Sequence, residues 1–179
     1  MEEKVIMAGF GGQGIMAIGK LLTYAGMLEN KEVSWLPSYG PEMRGGTANC
    51  NVVVSEEPVA SPVVTDATAA IVMNKPSLEK FECEIEKDGF LFINSSLIKA
   101  KASRSDIKTF YVPANELANE LGNSKVANVI MLGAYLEKAK AVDPESILNA
   151  FLKVFGESKS HLLDINRKAL EAGANAVRG

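Results

Sequence analysis

Four of the six residues from Gly9 to Gly14 are glycine, and they stand between two segments of opposite habit. Before them, Val5-Ile6-Met7-Ala8 is a continuous apolar run, the pattern of a strand buried on both faces of a sheet. After them, Ile15, Ile18, Leu22 and Ala25 recur at helical spacing, with Leu21 and Leu28 widening the stripe, which predicts a helix laying one face on that sheet. A strand that passes through bare backbone directly into a helix commits the start of the chain to a Rossmann-like β-loop-α unit.

Such a junction has a chemical use. The first N–H groups of a helix have no intrahelical partner and carry the positive end of its dipole, so an anion can settle there. Gly9, Gly11 and Gly14 match the spacing G-x-G-x-x-G, in which missing side chains allow a tight turn and a close approach of backbone to pyrophosphate. The same glycines also suit a tight turn with no ligand, and the motif alone leaves both readings open. A dinucleotide-binding unit adds an Asp or Glu at the end of its second strand, about 20 residues on. Here that strand reads Val33-Ser34-Trp35-Leu36 and ends in Pro37-Ser38, with Glu32 ahead of it. NAD or FAD held in the usual way is therefore disfavoured.

Further strands are expected over Thr47–Ser55, Ala69–Asn74, Gly89–Asn94 and Thr109–Pro113, and helices over Pro76–Phe81, Asn115–Leu121 and Val126–Lys140. Asp143-Pro144 opens another helix that Gly156 ends, and a last one runs from about Ser160. Strands interleaved with helices give a three-layer α/β/α fold on a mostly parallel or mixed sheet. At 179 residues, 47% hydrophobic and 23% charged, the chain suits one domain, 1–179. The helix from Val126 to Tyr135 is apolar almost all round, which places it deep or against a partner and predicts self-association of the isolated chain, as a homodimer.

A net charge of -3 gives no footprint for nucleic acid. Apolar stretches of about ten residues are too short to span a membrane, and Met1-Glu2-Glu3-Lys4 leads into a strand with no signal sequence, so a cytoplasmic location is expected. Cys50 and Cys83, with the single His161, assemble neither a zinc site nor an iron–sulfur cluster, and both cysteines are expected to be small buried side chains. A second candidate for chemistry is the turn-rich stretch Pro37 to Gly46, expected as a loop beside the first, because the sheet is read as setting the ends of the first two strands side by side. Its Arg44 offers five fixed donors to phosphate or carboxylate, or is a surface arginine on a turn. Asn128, inside the apolar helix, either caps a loop or reaches a ligand.

The three stretches Gly9-Phe10-Gly11-Gly12-Gln13-Gly14, Pro37 to Ala48 (PSYGPEMRGGTA) and Asn128-Val129-Ile130-Met131-Leu132-Gly133, in that order, resemble the gamma subunit of 2-oxoacid:ferredoxin oxidoreductases, most of all the 2-oxoglutarate member. The resemblance covers nearly the whole chain. It implies a fold like domain III of pyruvate:ferredoxin oxidoreductase. It also implies a multisubunit enzyme that decarboxylates a 2-oxoacid on thiamine diphosphate, passes the acyl group to coenzyme A and reduces ferredoxin. Thiamine diphosphate, magnesium and iron–sulfur clusters would belong to sister alpha, beta and delta subunits, and the sequence has neither a thiamine motif nor cluster cysteines. Coenzyme A would lie at Gly9, Gly11, Gly12, Gln13 and Gly14 with Arg44, no residue of this chain being catalytic. The alternatives are a scaffold that completes the subunit interface and binds no ligand, another 2-oxoacid (pyruvate or branched-chain) as substrate, or a free-standing nucleotide-binding protein.

Overall fold

A computed structural model describes residues 1–38 and 48–179 of the chain. Strand β1 (Glu2–Gly9) leads through the glycine loop into helix α1 (Ile15–Leu28), then β2 (Glu32–Ser38) and β3 (Ala48–Ser55). There follow β4 (Ala67–Val72), α2 (Lys75–Phe81), β5 (Ile85–Asn94), β6 (Lys108–Val112) and α3 (Ala114–Glu120). Three helices close the chain: α4 (Ala127–Ala139), α5 (Pro144–Phe155) and α6 (Leu163–Val177).

The six strands form one mixed sheet in the order β2-β3-β1-β4-β5-β6. β1, β4, β5 and β6 run parallel, whereas β3 is antiparallel to both of its neighbours. The ends of β1 and β2 are therefore not adjacent, contrary to the expectation from sequence, because β3 lies between them. Pro37 and Ser38, read as loop, close β2 instead, and an edge strand tolerates a proline that lacks an N–H. What lies beside the end of β1 is the start of β3, with Ala48 paired to Gly9.

The two faces of the sheet are covered unequally. One carries α1, α3, α4, α5 and α6 over the larger core, built on Val5, Met7, Val52 and Phe92. The other carries the short α2 and the long connections after β3 and β5, with Leu78, Val64, Ile98 and Ile107 closing over Ile6 and Ile93. The expected third layer is thus mostly connecting chain. At α4, every residue from Val129 to Leu136 is buried within the chain itself. Its neighbour α6 approaches backbone to backbone, since a Cβ at Gly133 would collide with the Leu170 carbonyl and one at Gly173 with the Ile130 carbonyl. The apolar circumference of α4 is satisfied internally, so it supplies no face for a second copy. Exposed apolar side chains lie elsewhere, at Tyr24, Met27 and Leu28 of α1 and Leu36 of β2.

Candidate functional site

Adjacent strands β1 and β4 send their following helices to opposite faces, α1 to the five-helix side and α2 to the other. Chains that part in this way leave a crevice beyond the carboxyl ends of the strands. The glycine loop lies at that point, across from Met73, the residue that follows β4.

The glycines of the loop have different reasons to be glycine. A Cβ on Gly9 would stand 2.6 Å from Gln13 Oε1 and 2.9 Å from Met73 Cβ, so Gly9 serves packing. Gly12 (φ 88°) and Gly14 (φ 76°) hold left-handed backbone that side chains disfavour. At Gly14 a side chain would also strike the Asn128 amide. Gly11 has neither reason. Its φ is outside the left-handed region, and no heavy atom of the described residues lies within 4 Å of where its Cβ would be.

Gln13 braces the loop. Its Oε1 accepts from Phe10 N at 2.6 Å, its Nε2 donates to the Met73 carbonyl at 3.3 Å, and its own N–H donates to the Phe10 carbonyl at 3.2 Å. One of the two Nε2 hydrogens is thereby used in positioning the loop, and the other remains to be donated on the cleft that Gln13 lines. Asn128 does the corresponding work from the other wall, donating Nδ2 to the Gly14 carbonyl at 3.1 Å and so fastening the start of α4 to the start of α1. The loop contact expected as one reading of Asn128 is present, and the residue also lines the cleft.

Between these walls lies a cleft of about 370 Å³, lined by Gly12, Gln13, Gly14, Met73, Asn115, Ser124, Lys125, Ala127 and Asn128. No carboxylate is among them. No side chain caps either helix that begins here, α1 or α4, and neither has an acid in its first turn. Lys125 is exposed and pairs with no carboxylate among the described residues. Asn115 is held by its oxygen, which accepts from buried Asn94 at 2.8 Å, so its NH₂ group remains to be donated. In a chain of net charge -3, this corner collects donors and positive charge, the environment of an anion.

Lys125, Ser124 and Asn115 were not reached by sequence reasoning, because they are far from the glycine motif along the chain. Arg44 falls outside the described residues, on the segment that joins Ser38 to Ala48. Cys50 lies under the start of α1 with Sγ 3.8 Å from the Ile15 carbonyl, and burial pushes its thiol up to about 12, only partly offset by the Trp35 indole. It is inert at neutral pH. Cys83 is exposed, against the expectation that both cysteines are buried, because it sits in the short helical turn after α2. His161 is exposed, in a 3₁₀ turn before α6, and is not among the residues that line the cleft.

Comparison with known proteins points one way. The chain is 38% identical over 178 residues to the ketoisovalerate oxidoreductase subunit VorA of Methanothermobacter marburgensis, covering 99% of itself but 37% of that protein. It is 33% identical over 155 residues to the 2-oxoglutarate synthase subunit KorC of Methanocaldococcus jannaschii, covering 85% of itself and 83% of that subunit. The chain thus spans little more than a third of the VorA proteins it matches and most of KorC. In structure it superposes on the gamma subunit of a keto/oxoacid ferredoxin oxidoreductase from Geobacter sulfurreducens with a TM-score of 0.81, 26% identity and 97% of each chain covered. It shares its fold with 31% of the 2-oxoglutarate:ferredoxin oxidoreductase chain of Magnetococcus marinus, solved with 2-oxoglutarate, coenzyme A and succinyl-CoA bound (TM-score 0.86, 19% identity). The family described as pyruvate ferredoxin/flavodoxin oxidoreductase matches residues 4–176, and the chain belongs to that family of oxidoreductases.

Proposed function

We propose that this chain is the gamma-type subunit of a multisubunit 2-oxoacid:ferredoxin oxidoreductase, and that it holds the nucleotide end of coenzyme A. The observation that carries the reading is Gly11, an exposed glycine that nothing in the described chain requires, next in the chain to Gly12 of a cleft that is rich in donors and, among the described residues, free of carboxylates. Coenzyme A brings a diphosphate and a 3′-phosphate, the anions such a corner takes. The N–H groups of the loop and of the first turn of α1, with Lys125 and Arg44, are the donors. Gly9 and Gln13 shape the loop. A protein of the same fold has been solved with coenzyme A and succinyl-CoA bound.

The reaction served is 2-oxoacid + CoA + oxidised ferredoxin to acyl-CoA + CO₂ + reduced ferredoxin. Thiamine diphosphate, magnesium and the iron–sulfur clusters sit on sister subunits, and the part of this chain is to position the thiol through binding energy at the remote nucleotide. The exposed apolar residues on α1 and β2 are the surface through which it joins those subunits. The oxoacid is 2-oxoglutarate. The identity to VorA favours a second reading, a branched-chain oxoacid.

Gly11→Val gives a clean test, because a Cβ there meets no heavy atom of the described residues within 4 Å and the backbone is not left-handed. In the co-purified complex it should raise the coenzyme A requirement at least tenfold, by calorimetry and kinetics, with the oxoacid requirement unchanged. Wild-type affinity in that variant would make the loop a turn and the chain a scaffold. Rates with 2-oxoglutarate, pyruvate and ketoisovalerate in the same preparation decide the oxoacid. The isolated chain should turn over none of them.

A further inference from the structure

A groove of about 410 Å³ opens between α1, the end of α5 and the start of α6, and it shares Lys125 and Asn128 with the glycine cleft. We infer that this groove receives the purine base of the nucleotide whose phosphates lie in the cleft. The inference rests on the reading of the glycine loop as the coenzyme A phosphate site.

The groove has the makings of a base pocket. Phe155 presents a ring that is 40% exposed, propped from behind by Phe151 with the ring centroids 4.9 Å apart. Leu162 and Ile165 supply apolar walls. Asn166 is 7% exposed and donates Nδ2 to the Leu162 carbonyl at 2.8 Å, which fixes the amide and leaves Oδ1 without a partner among the described residues. A fixed acceptor beside an exposed aromatic ring matches an exocyclic amine on a flat base. Among the described residues no carboxylate lines the groove. An apolar segment of a partner subunit would leave the Asn166 carbonyl unpaired and strip water from the Lys125 ammonium, both of which disfavour it. Phosphate stands between base and pantetheine arm in coenzyme A. With the base in the groove, the arm must leave by the other mouth of the cleft, carrying its thiol away from this subunit toward its partners.

The test is calorimetry on the purified complex with coenzyme A, adenosine 3′,5′-bisphosphate and 4′-phosphopantetheine as separate probes. Phe155→Ala should weaken coenzyme A and the bisphosphate about tenfold, the size of a base–aromatic stack, and leave phosphopantetheine unchanged. Phe155→Trp should restore both. Loss confined to phosphopantetheine would put the arm in the groove and overturn the inference. So would unchanged binding of all three probes with the sister subunits lost during purification, which would make the groove a docking surface. Wild-type coenzyme A affinity in Phe155→Ala alone removes the base site and leaves the glycine-loop reading standing. A wild-type complex that binds neither coenzyme A nor the bisphosphate removes both.

Discussion

Helix α4 joins two cavities of opposite electrical character. At its start is the glycine cleft, about 370 Å³, with uncapped helix starts and a Lys125 that pairs with no carboxylate among the described residues. Beyond its end is a larger cavity of about 490 Å³, among α4, α5 and α6, lined by five carboxylates (Glu29, Glu137, Asp143, Glu145, Glu171) and three cations (Lys140, Arg167, Arg178). There the charges answer one another: Glu137 pairs with Arg178 and Lys140, Glu145 with Arg167, and Glu29 with Lys31. The helix that starts in that cavity, α5, is capped by Asp143 and carries Glu145 in its first turn. Size alone would choose the larger cavity. Unanswered donors choose the smaller one, because only there does an incoming anion replace water without first breaking an ion pair.

The comparison breaks most sharply at Gly14. Gly14→Val forces a side chain into left-handed backbone, costing about 1–2 kcal/mol, and drives it against the Asn128 amide, so a further hydrogen bond of about 1 kcal/mol is lost. Coenzyme A binding should become undetectable and thermal stability should fall by several degrees. A valine variant with wild-type melting and binding would show that the α1–α4 junction does not build the site.

The next effect contrasts cations at the two ends. Lys125→Ala should weaken coenzyme A about tenfold or more, the worth of a charge-assisted hydrogen bond, and Arg44→Ala about as much. Arg167→Ala, in the larger cavity, should leave coenzyme A affinity within about twofold. Equal losses from Lys125 and Arg167 would mean that overall charge, and not the cleft, attracts the ligand.

What the sequence disclosed differs between the two ends as well. The apolar run into Gly9, the stripe after Gly14 and the Asp143-Pro144 cap each predict an element that forms close to where it was expected, because each is local. The insertion of β3 between β1 and β2 was not legible, since alternation of side chains declares a strand and not its neighbours. Half of the cleft was hidden for the same reason. Lys125 and Asn115 arrive from elements over a hundred residues beyond Gly14, Asn115 from the first turn of α3 and Lys125 from the short turn that leads into α4, and neither belongs to a motif that ties it to the glycine loop. Gln13 shows what the motif does not declare: besides lining the cleft, its amide braces the loop between Phe10 and Met73.

A smaller effect tests the end of β1 farthest from the loop. The Glu3 carboxyl accepts from Thr68 Oγ1 at 2.7 Å and from the buried Tyr135 hydroxyl at 3.4 Å. Burial raises it above the usual glutamate range, with Thr68 and Tyr135 opposing the rise and Glu86 adding to it. The folded chain therefore keeps a proton that the unfolded chain has released. Stability from this group is fully present below the unfolded pKa and is lost as pH rises through the folded one. Glu3→Gln should flatten that part of the stability–pH curve, leaving the variant at least as stable as wild type at neutral pH, with coenzyme A binding unaltered. A curve that still falls with the wild-type slope would assign the titration to another group.

The smallest effect belongs to the ion pairs of the larger cavity. Arg178 meets both oxygens of Glu137, Nε to Oε1 at 3.0 Å and an NH group to Oε2 at 3.2 Å, and Lys140 lies 3.4 Å from the same carboxylate. The Arg178 side chain is 53% exposed, so water and salt screen the attraction, and ordering two long side chains offsets much of what remains. Arg178 holds the Glu137 carboxyl below its ordinary range. A carboxylate lowered in the folded state contributes above its unfolded pKa and loses that contribution as pH falls through the folded value. Arg178→Ala should therefore lower Tm by about 2 °C or less at neutral pH, less again in high salt, and by nothing once Glu137 is protonated. Coenzyme A affinity should stay at the wild-type value. A fall in affinity with assembly intact would show the two ends of α4 to be coupled, and the larger cavity would then belong to the function.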